Sequence, residues 1–235
     1  MSIDATSAPH RVLYGRRRGR PLRPSHRRLL EMRLPLLRIA LPAQGRLDLL
    51  RLFAAPVEAV WIELGFGGGE HLAAQAQTHP TIGMIGAEVF ENGVAKLLAE
   101  IERRALANVR LFVDDGRLLL AALPDRSVGR AFILFPDPWP KERHKKRRLV
   151  SRETLDALGR ILADGAELRL ATDDMDYARA MLERATEHPA FRWLARTARD
   201  WRERPADWPP TRYEHKALVA GCRPLYLRFA RRPRG

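Results

Sequence analysis

One stretch constrains this chain more than any other: Val60-Trp61-Ile62-Glu63-Leu64-Gly65-Phe66-Gly67-Gly68-Gly69-Glu70-His71. An apolar run ends in an acid and passes into a glycine-rich turn, which reads as strand, tight loop and helix start. Glycines at alternate positions let the backbone take positive φ and approach a ligand more closely than a side chain would allow. A dinucleotide fingerprint, Gly-x-Gly-x-x-Gly, seats a pyrophosphate on the helix N-terminus. Here Glu70 holds the place of the third glycine, and a carboxylate there repels phosphate. A loop that serves only a turn is the plain alternative.

The spacing Glu63-x-Gly65-x-Gly67-x-Gly69 resembles the first motif of adenosylmethionine-dependent methyltransferases of the Rossmann-like class. That cofactor carries no phosphate. It carries an ammonium and a sulfonium, which an acid beside a bare-backbone loop suits electrostatically.

With 235 residues and 46% hydrophobic content, the chain is long enough to bury a core as one domain. Its 42 Lys+Arg against 28 Asp+Glu leave a net charge of +14, which points to a polyanionic partner. No apolar run approaches the roughly 20 residues that span a bilayer, and no secretory signal pattern is seen, so no membrane association and a cytoplasmic location are expected. The single cysteine, Cys222, forms no internal disulfide. His26, His71, His79, His144, His188 and His215 show no metal-ligand spacing, so no metal site is expected. Residues 1–41, centred on Arg16-Arg17-Arg18-Gly19-Arg20-Pro21 and interrupted by prolines, read as a disordered basic arm before a single domain over 42–235. The Arg-Gly-Arg-Pro core also matches a minor-groove hook, and a merely solubilising tail remains open.

From residue 60 on, strands and helices alternate, the pattern of an α/β Rossmann-like sheet, mostly parallel, flanked by helices and closed by an antiparallel last strand. Strands are expected at 60–64, 81–87, 109–113, 131–135, 166–171, 191–195 and 225–229. Helices are expected at 70–78, 92–106, 151–162 and 175–187, with 211–220 either a helix or part of a hairpin. Ligands in such sheets bind outside the carboxyl ends of the strands. Glu88 follows the second strand and suits both hydrogens of a ribose diol, or caps the next helix. Asp115 ends the third strand and is assigned to the adenine side, with Asp114 as its alternative.

The fourth strand ends in Phe135-Pro136-Asp137-Pro138-Trp139-Pro140-Lys141, and Glu142-Arg143-His144-Lys145-Lys146-Arg147-Arg148-Leu149 follows at once. Together with Thr172-Asp173 and Thr211-Arg212-Tyr213-Glu214, this resembles the tRNA (guanine-N7-)-methyltransferase family from about residue 60 to the C-terminus. The resemblance implies adenosylmethionine as cofactor and a guanine in the variable loop of tRNA as substrate. It implies cofactor contacts by Glu63, Glu88, Asp115 and Asp137, with Gly65 and Gly67 in the loop, and catalysis centred on Asp137. It also implies substrate contacts by Lys141, Asp173, Thr211 and Glu214, which the neighbouring Arg143, His144, Lys145, Lys146, Arg147, Arg148, Arg212 and Tyr213 extend. Pro140, where some members carry His, is a departure that touches the stiffness of the loop.

Asp137 has a physical reading of its own. Proline on each side fixes φ and removes two donors, so the acid is held out of the sheet ladder on a stiff loop. Trp139 offers a stacking face for a base or covers core as a rim residue, and the basic run beside it is placed to track phosphates. Two other readings stay open: another nucleic-acid or protein methyltransferase of the same fold, and a basic nucleic-acid binder with a vestigial pocket. Monomer and homodimer are both compatible with the sequence.

Overall fold

The computed structural model describes Gly15 and residues 17–235. The expected arm before Gly15, and Arg16 of the hook-like motif, lie outside the described residues. The chain opens with α1 (Pro24–Met32) and α2 (Leu34–Leu37). Pro24 and Pro35 stand in the first turn of each helix, where the missing amide has no helical partner and the fixed φ suits the helix. They start helices instead of breaking them. Leu37 and Ile39 are buried, and the Ile39 amide donates to the Leu111 carbonyl at 2.8 Å. The disorder expected through residue 41 is therefore corrected: residues 24–39 belong to the folded body. The high arginine content of the segment masks the apolar spacing of Leu29, Leu30, Leu34 and Leu37, which packs it there.

After a short 3₁₀ turn at Leu49–Arg51 come β1 (Ala59–Leu64), α3 (Glu70–Thr78), β2 (Ile82–Ala87), α4 (Glu91–Arg103) and β3 (Val109–Phe112). Then follow α5 (Gly116–Ala122), β4 (Val128–Leu134), a 3₁₀ helix at Glu142–Arg147 and α6 (Arg152–Ile161). The chain closes with β5 (Leu162–Thr172), α7 (Met175–Glu187), β6 (Phe191–Trp193), α8 (Arg199–Arg202), α9 (Arg212–Val219) and β7 (Leu225–Arg231).

These strands form one seven-stranded sheet in the order β3-β2-β1-β4-β5-β7-β6. β1 pairs in parallel with β2 and β4, β2 with β3, and β4 with β5. β7 runs antiparallel to both β5 and β6. Because side chains alternate across a strand, the strands feed two cores, one around Ile62, Ile85 and Ile133 and the other around Trp61, Met84 and Phe132. The strand order reverses between β1 and β4, the position where a parallel sheet leaves a crevice at its carboxyl edge.

Two boundaries follow from local contacts. α6 runs directly into β5, so that strand begins at Leu162, four residues before the expected start. The 211–220 segment is helical: the Thr211 hydroxyl accepts the Glu214 amide and the Glu214 carboxylate accepts the Thr211 amide, a capping box that excludes the hairpin.

Candidate active site

A cavity of about 360 Å³ opens at the carboxyl ends of β1 to β4, and Gly65, Gly67, Glu88, Asp114, Asp115 and Asp137 are among its lining residues. The glycine loop forms one wall. Gly65, Gly67 and Gly69 all have positive φ, 72°, 57° and 78°, the region that side chains disfavour. A methyl on Gly67 would lie 2.8 Å from the Tyr213 ring. From below, α4 meets the loop so closely that a methyl on Gly93 would fall 2.1 Å from the Gly67 carbonyl oxygen. Sequence reasoning missed Gly93. Its signal is a glycine inside an otherwise apolar-periodic helix, a placement that costs about 1 kcal/mol unless close packing requires it.

Glu88 forms the next wall. One carboxylate oxygen accepts the Gly67 amide at 2.8 Å, and the other accepts the amides of Val89 at 2.7 Å and Phe90 at 2.9 Å. Burial pushes its carboxyl above the ordinary range; the three amides pull it back, and nearby Asp137 adds a smaller upward push. Past β3, Asp115 is buried and caps α5, its Oδ1 accepting both the backbone amide and the Nε of Arg117. Asp114 is half-buried and accepts the Asp115 amide at 2.8 Å. Both acids line the cavity.

Asp137 stands exposed at the mouth. The loop that carries it is bracketed by Phe135 and Trp139, both at positive φ, 50° and 46°. For bulky residues this is backbone strain of order 1–3 kcal/mol each, which surrounding contacts must hold. Arg147 lies over the Trp139 ring at 5.0 Å and His144 meets its edge at 5.9 Å. The expectation that Trp139 offers a stacking platform is thus narrowed, because the 3₁₀ helix already covers one face.

The basic run divides in two. Lys141, Arg143 and Lys146 are exposed, and His144 is half-buried. Lys145 pairs with Glu142 at 2.9 Å and with Asp176 at 3.3 Å, while Arg147 lines the cavity. Arg148 departs from the expectation of substrate contact. It is 2% exposed, donates to the Pro138 carbonyl at 2.7 Å and to Asp176 at 2.5 Å, and lies over the Tyr177 ring. Arg143 and Lys146 of the same run face solvent, whereas packing on α7 turns Arg148 inward.

The C-terminal residues divide likewise. Tyr213 reaches the cavity and Arg212 is exposed beside it. Thr211 is occupied as the N-cap of α9. Glu214 is 6% exposed and bonds to the Tyr226 hydroxyl at 2.5 Å and Arg204 at 3.0 Å. Asp173 is exposed and outside the cavity lining. Glu63 is not in that lining either: it is 3% exposed, behind the glycine loop, with Oε2 2.7 Å from His71 Nδ1. Among the described residues, no group of His, Cys, Asp and Glu is arranged to hold a metal ion, and no helix is long and apolar enough to cross a membrane.

A family profile described as "Putative methyltransferase" matches residues 57–224. A tRNA (guanine-N(7)-)-methyltransferase of Rhodospirillum rubrum is 55% identical over 94% of this chain and 88% of its own length. The chain belongs to the tRNA (guanine-N(7)-)-methyltransferase family. A relative of the same name from Paramagnetospirillum magneticum is 50% identical over 94% of this chain and 93% of its own. Among solved structures, an rRNA methylase from Streptococcus thermophilus superposes with a TM-score of 0.52 at 15% identity, over 76% of this chain and 89% of that one. At that identity the likeness concerns the fold alone. In this family member, Asp137, Glu88, Asp115 and Tyr213 meet at one cavity, whereas Arg148 and Glu214 are drawn into the body of the protein.

Proposed function

We propose that the chain transfers a methyl group from adenosylmethionine to N7 of a guanine in tRNA. The observation that carries the reading is Asp137, held on a proline-flanked loop at the mouth of a cavity walled by the glycine loop and Glu88, with the exposed Arg143 and Lys146 alongside. Its curated relatives bear the name of this activity.

The residues present fit the cofactor. The cavity of about 360 Å³ lies in the range of small-molecule sites. Two of its walls are carboxylates able to accept from a ribose diol and an adenine amine. The bare Gly65 and Gly67 backbone admits the chain that links nucleoside to amino acid. Glu63 lends negative charge from behind the loop, toward the cationic end. When bound, adenosylmethionine supplies an electrophilic methyl on a sulfonium that departs as a neutral thioether.

Guanine N7 holds a free lone pair, so no proton must leave before transfer and no general base is needed. The protein then works by alignment and electrostatics, and proximity alone can supply as much as about 7–11 kcal/mol. Asp137 accepts from the N1–H and N2–H edge, presents the opposite edge to the methyl, and stabilises the charge that develops on the ring. Adenine lacks that donor pair. Arg143, Lys146 and Lys141 hold phosphates beside the site.

The test is incubation of unmodified tRNA transcripts with the protein and methyl-labelled cofactor, followed by mass analysis of the nucleosides. The expected product is 7-methylguanosine at one position. A methyl on an exocyclic nitrogen, or cofactor binding without transfer, would overturn the reading.

A further inference from the structure

The Glu63–His71 pair has an unusual setting. Both side chains are almost fully buried, 4% and 2% exposed, and the His71 Nδ1–H donates to Glu63 Oε2 at 2.7 Å. The imidazole stands edge-on to Phe132, centroids 4.7 Å apart, and to Trp208 at 6.3 Å. Its second nitrogen, Nε2, is buried with no hydrogen-bond partner among the described residues. Orphaned buried polar atoms are rare and costly to the fold. Two more belong to side chains around it: Oε1 of Gln75, one turn further along α3, and Nε1 of Trp208; the Arg169 guanidinium over the Trp208 ring is turned to Asp207 instead, Nη1 to Oδ2 at 2.7 Å. Gln75 is fixed in place because its Nε2 donates to the Asp207 carbonyl at 2.8 Å.

The three valences complement one another. With the His71 proton on Nδ1, Nε2 accepts, Gln75 Oε1 accepts and the Trp208 indole donates. A single water gives two hydrogen bonds and takes one, which is the complement of this set. Asp207 and Trp208 belong to the segment that leads through Thr211 to Tyr213 at the cavity.

We propose that His71 is a positioning residue of the cofactor site, holding the Glu63 carboxylate through Nδ1 while Gln75 and Trp208 hold its Nε2 through one bridging water. The inference rests on the reading of Glu63 as an acid that serves the cofactor. Its consequence is that the acid behind the glycine loop takes its orientation from the segment that carries Tyr213.

Two substitutions separate the ends of the imidazole. In His71→Asn the side-chain amide reaches the Nδ1 position and still donates to Glu63. In His71→Gln it reaches the Nε2 position and abandons Glu63. Both lose the ring, so loss of packing affects them alike. Calorimetry with adenosylhomocysteine and filter binding of tRNA are the readouts. Expected are a cofactor affinity within about threefold of wild type for His71→Asn and a loss of about tenfold to a hundredfold for His71→Gln, the scale of one hydrogen bond to a charged group, with tRNA affinity unchanged in both. Trp208→Phe, which removes the indole donor while keeping an aromatic ring, should weaken the cofactor severalfold. Equal affinities for the Asn and Gln variants, with Glu63→Gln weakened, would overturn the positioning role while leaving the reading of Glu63 intact. Unchanged cofactor affinity in Glu63→Gln would overturn both.

Discussion

The Glu88 carboxylate accepts the Gly67 amide at 2.8 Å, so the acid proposed to meet the ribose also clasps the glycine loop. Its other oxygen is held by Val89 and Phe90. Glu88→Gln turns one of these acceptors into a donor that faces backbone amides. Cofactor affinity should fall by at least tenfold while tRNA affinity stays within about twofold, because phosphate contacts carry most of the latter. Calorimetry and filter binding at one salt concentration check this, and a cofactor affinity near wild type would remove Glu88 from the site.

The same residue predicts a pH dependence. Burial raises the Glu88 carboxyl above its ordinary value, so in the free protein it takes up a proton at a higher pH than an exposed glutamate. Affinity that needs the anion is present above that raised value and is lost as pH falls through it. The fold responds in the opposite sense: a carboxyl raised in the folded state costs stability at neutral pH, and the cost fades as pH falls through the raised folded value toward the ordinary one. Cofactor titrations from pH 7.5 down to the acid range should show the loss, and Glu88→Gln should abolish that dependence.

Gly67→Ala meets two obstacles, the positive φ of 57° and the Tyr213 ring 2.8 Å from the added methyl. A loss of about 1–3 kcal/mol of stability is expected. Adding Tyr213→Ala removes the collision but not the backbone strain, so thermal unfolding should recover only in part. Full recovery would show that the conformation at Gly67 carries no cost.

Asp137→Asn keeps the shape of the side chain and places a donor before the guanine N1–H and N2–H edge. Turnover should fall by about 10²–10³, as on removal of one preorganised polar contact, while whole-tRNA binding survives. Single-turnover rates with resolved product nucleosides test this. Near-native rates would assign Asp137 a role outside the transfer.

Arg143 and Lys146 face solvent and Arg148 does not. Changing the first two to Ala should flatten the log–log salt dependence of tRNA binding by roughly 0.7–0.9 per lost phosphate contact. Arg148→Ala should leave that slope unchanged and instead destabilise the fold by about 2 kcal/mol, since the Pro138 carbonyl loses its donor. The two results together check the division of the run; a flattened slope in Arg148→Ala would reverse it.

The sequence by itself determined the strand–loop–helix unit at 59–78, the alternation that builds the sheet, and the placing of Glu88, Asp115 and Asp137 at strand ends. These depend on local periodicity and on backbone conformations that only glycine and proline favour, which a sequence states directly. Tertiary structure decided which charged residues turn inward. Arg148 sits in a row of cations that looks uniform, and only α7, packed beside it, makes it a buried anchor. Glu214 and Glu63 likewise find Tyr226 and His71 on the next element of the chain, across the loop that joins the two. The docking of residues 24–39 was equally hidden, because arginine content describes solvation whereas the burial of Leu37 and Ile39 depends on which surface lies opposite. Pairing across the fold requires coordinates in three dimensions, and no one-dimensional spacing encodes it.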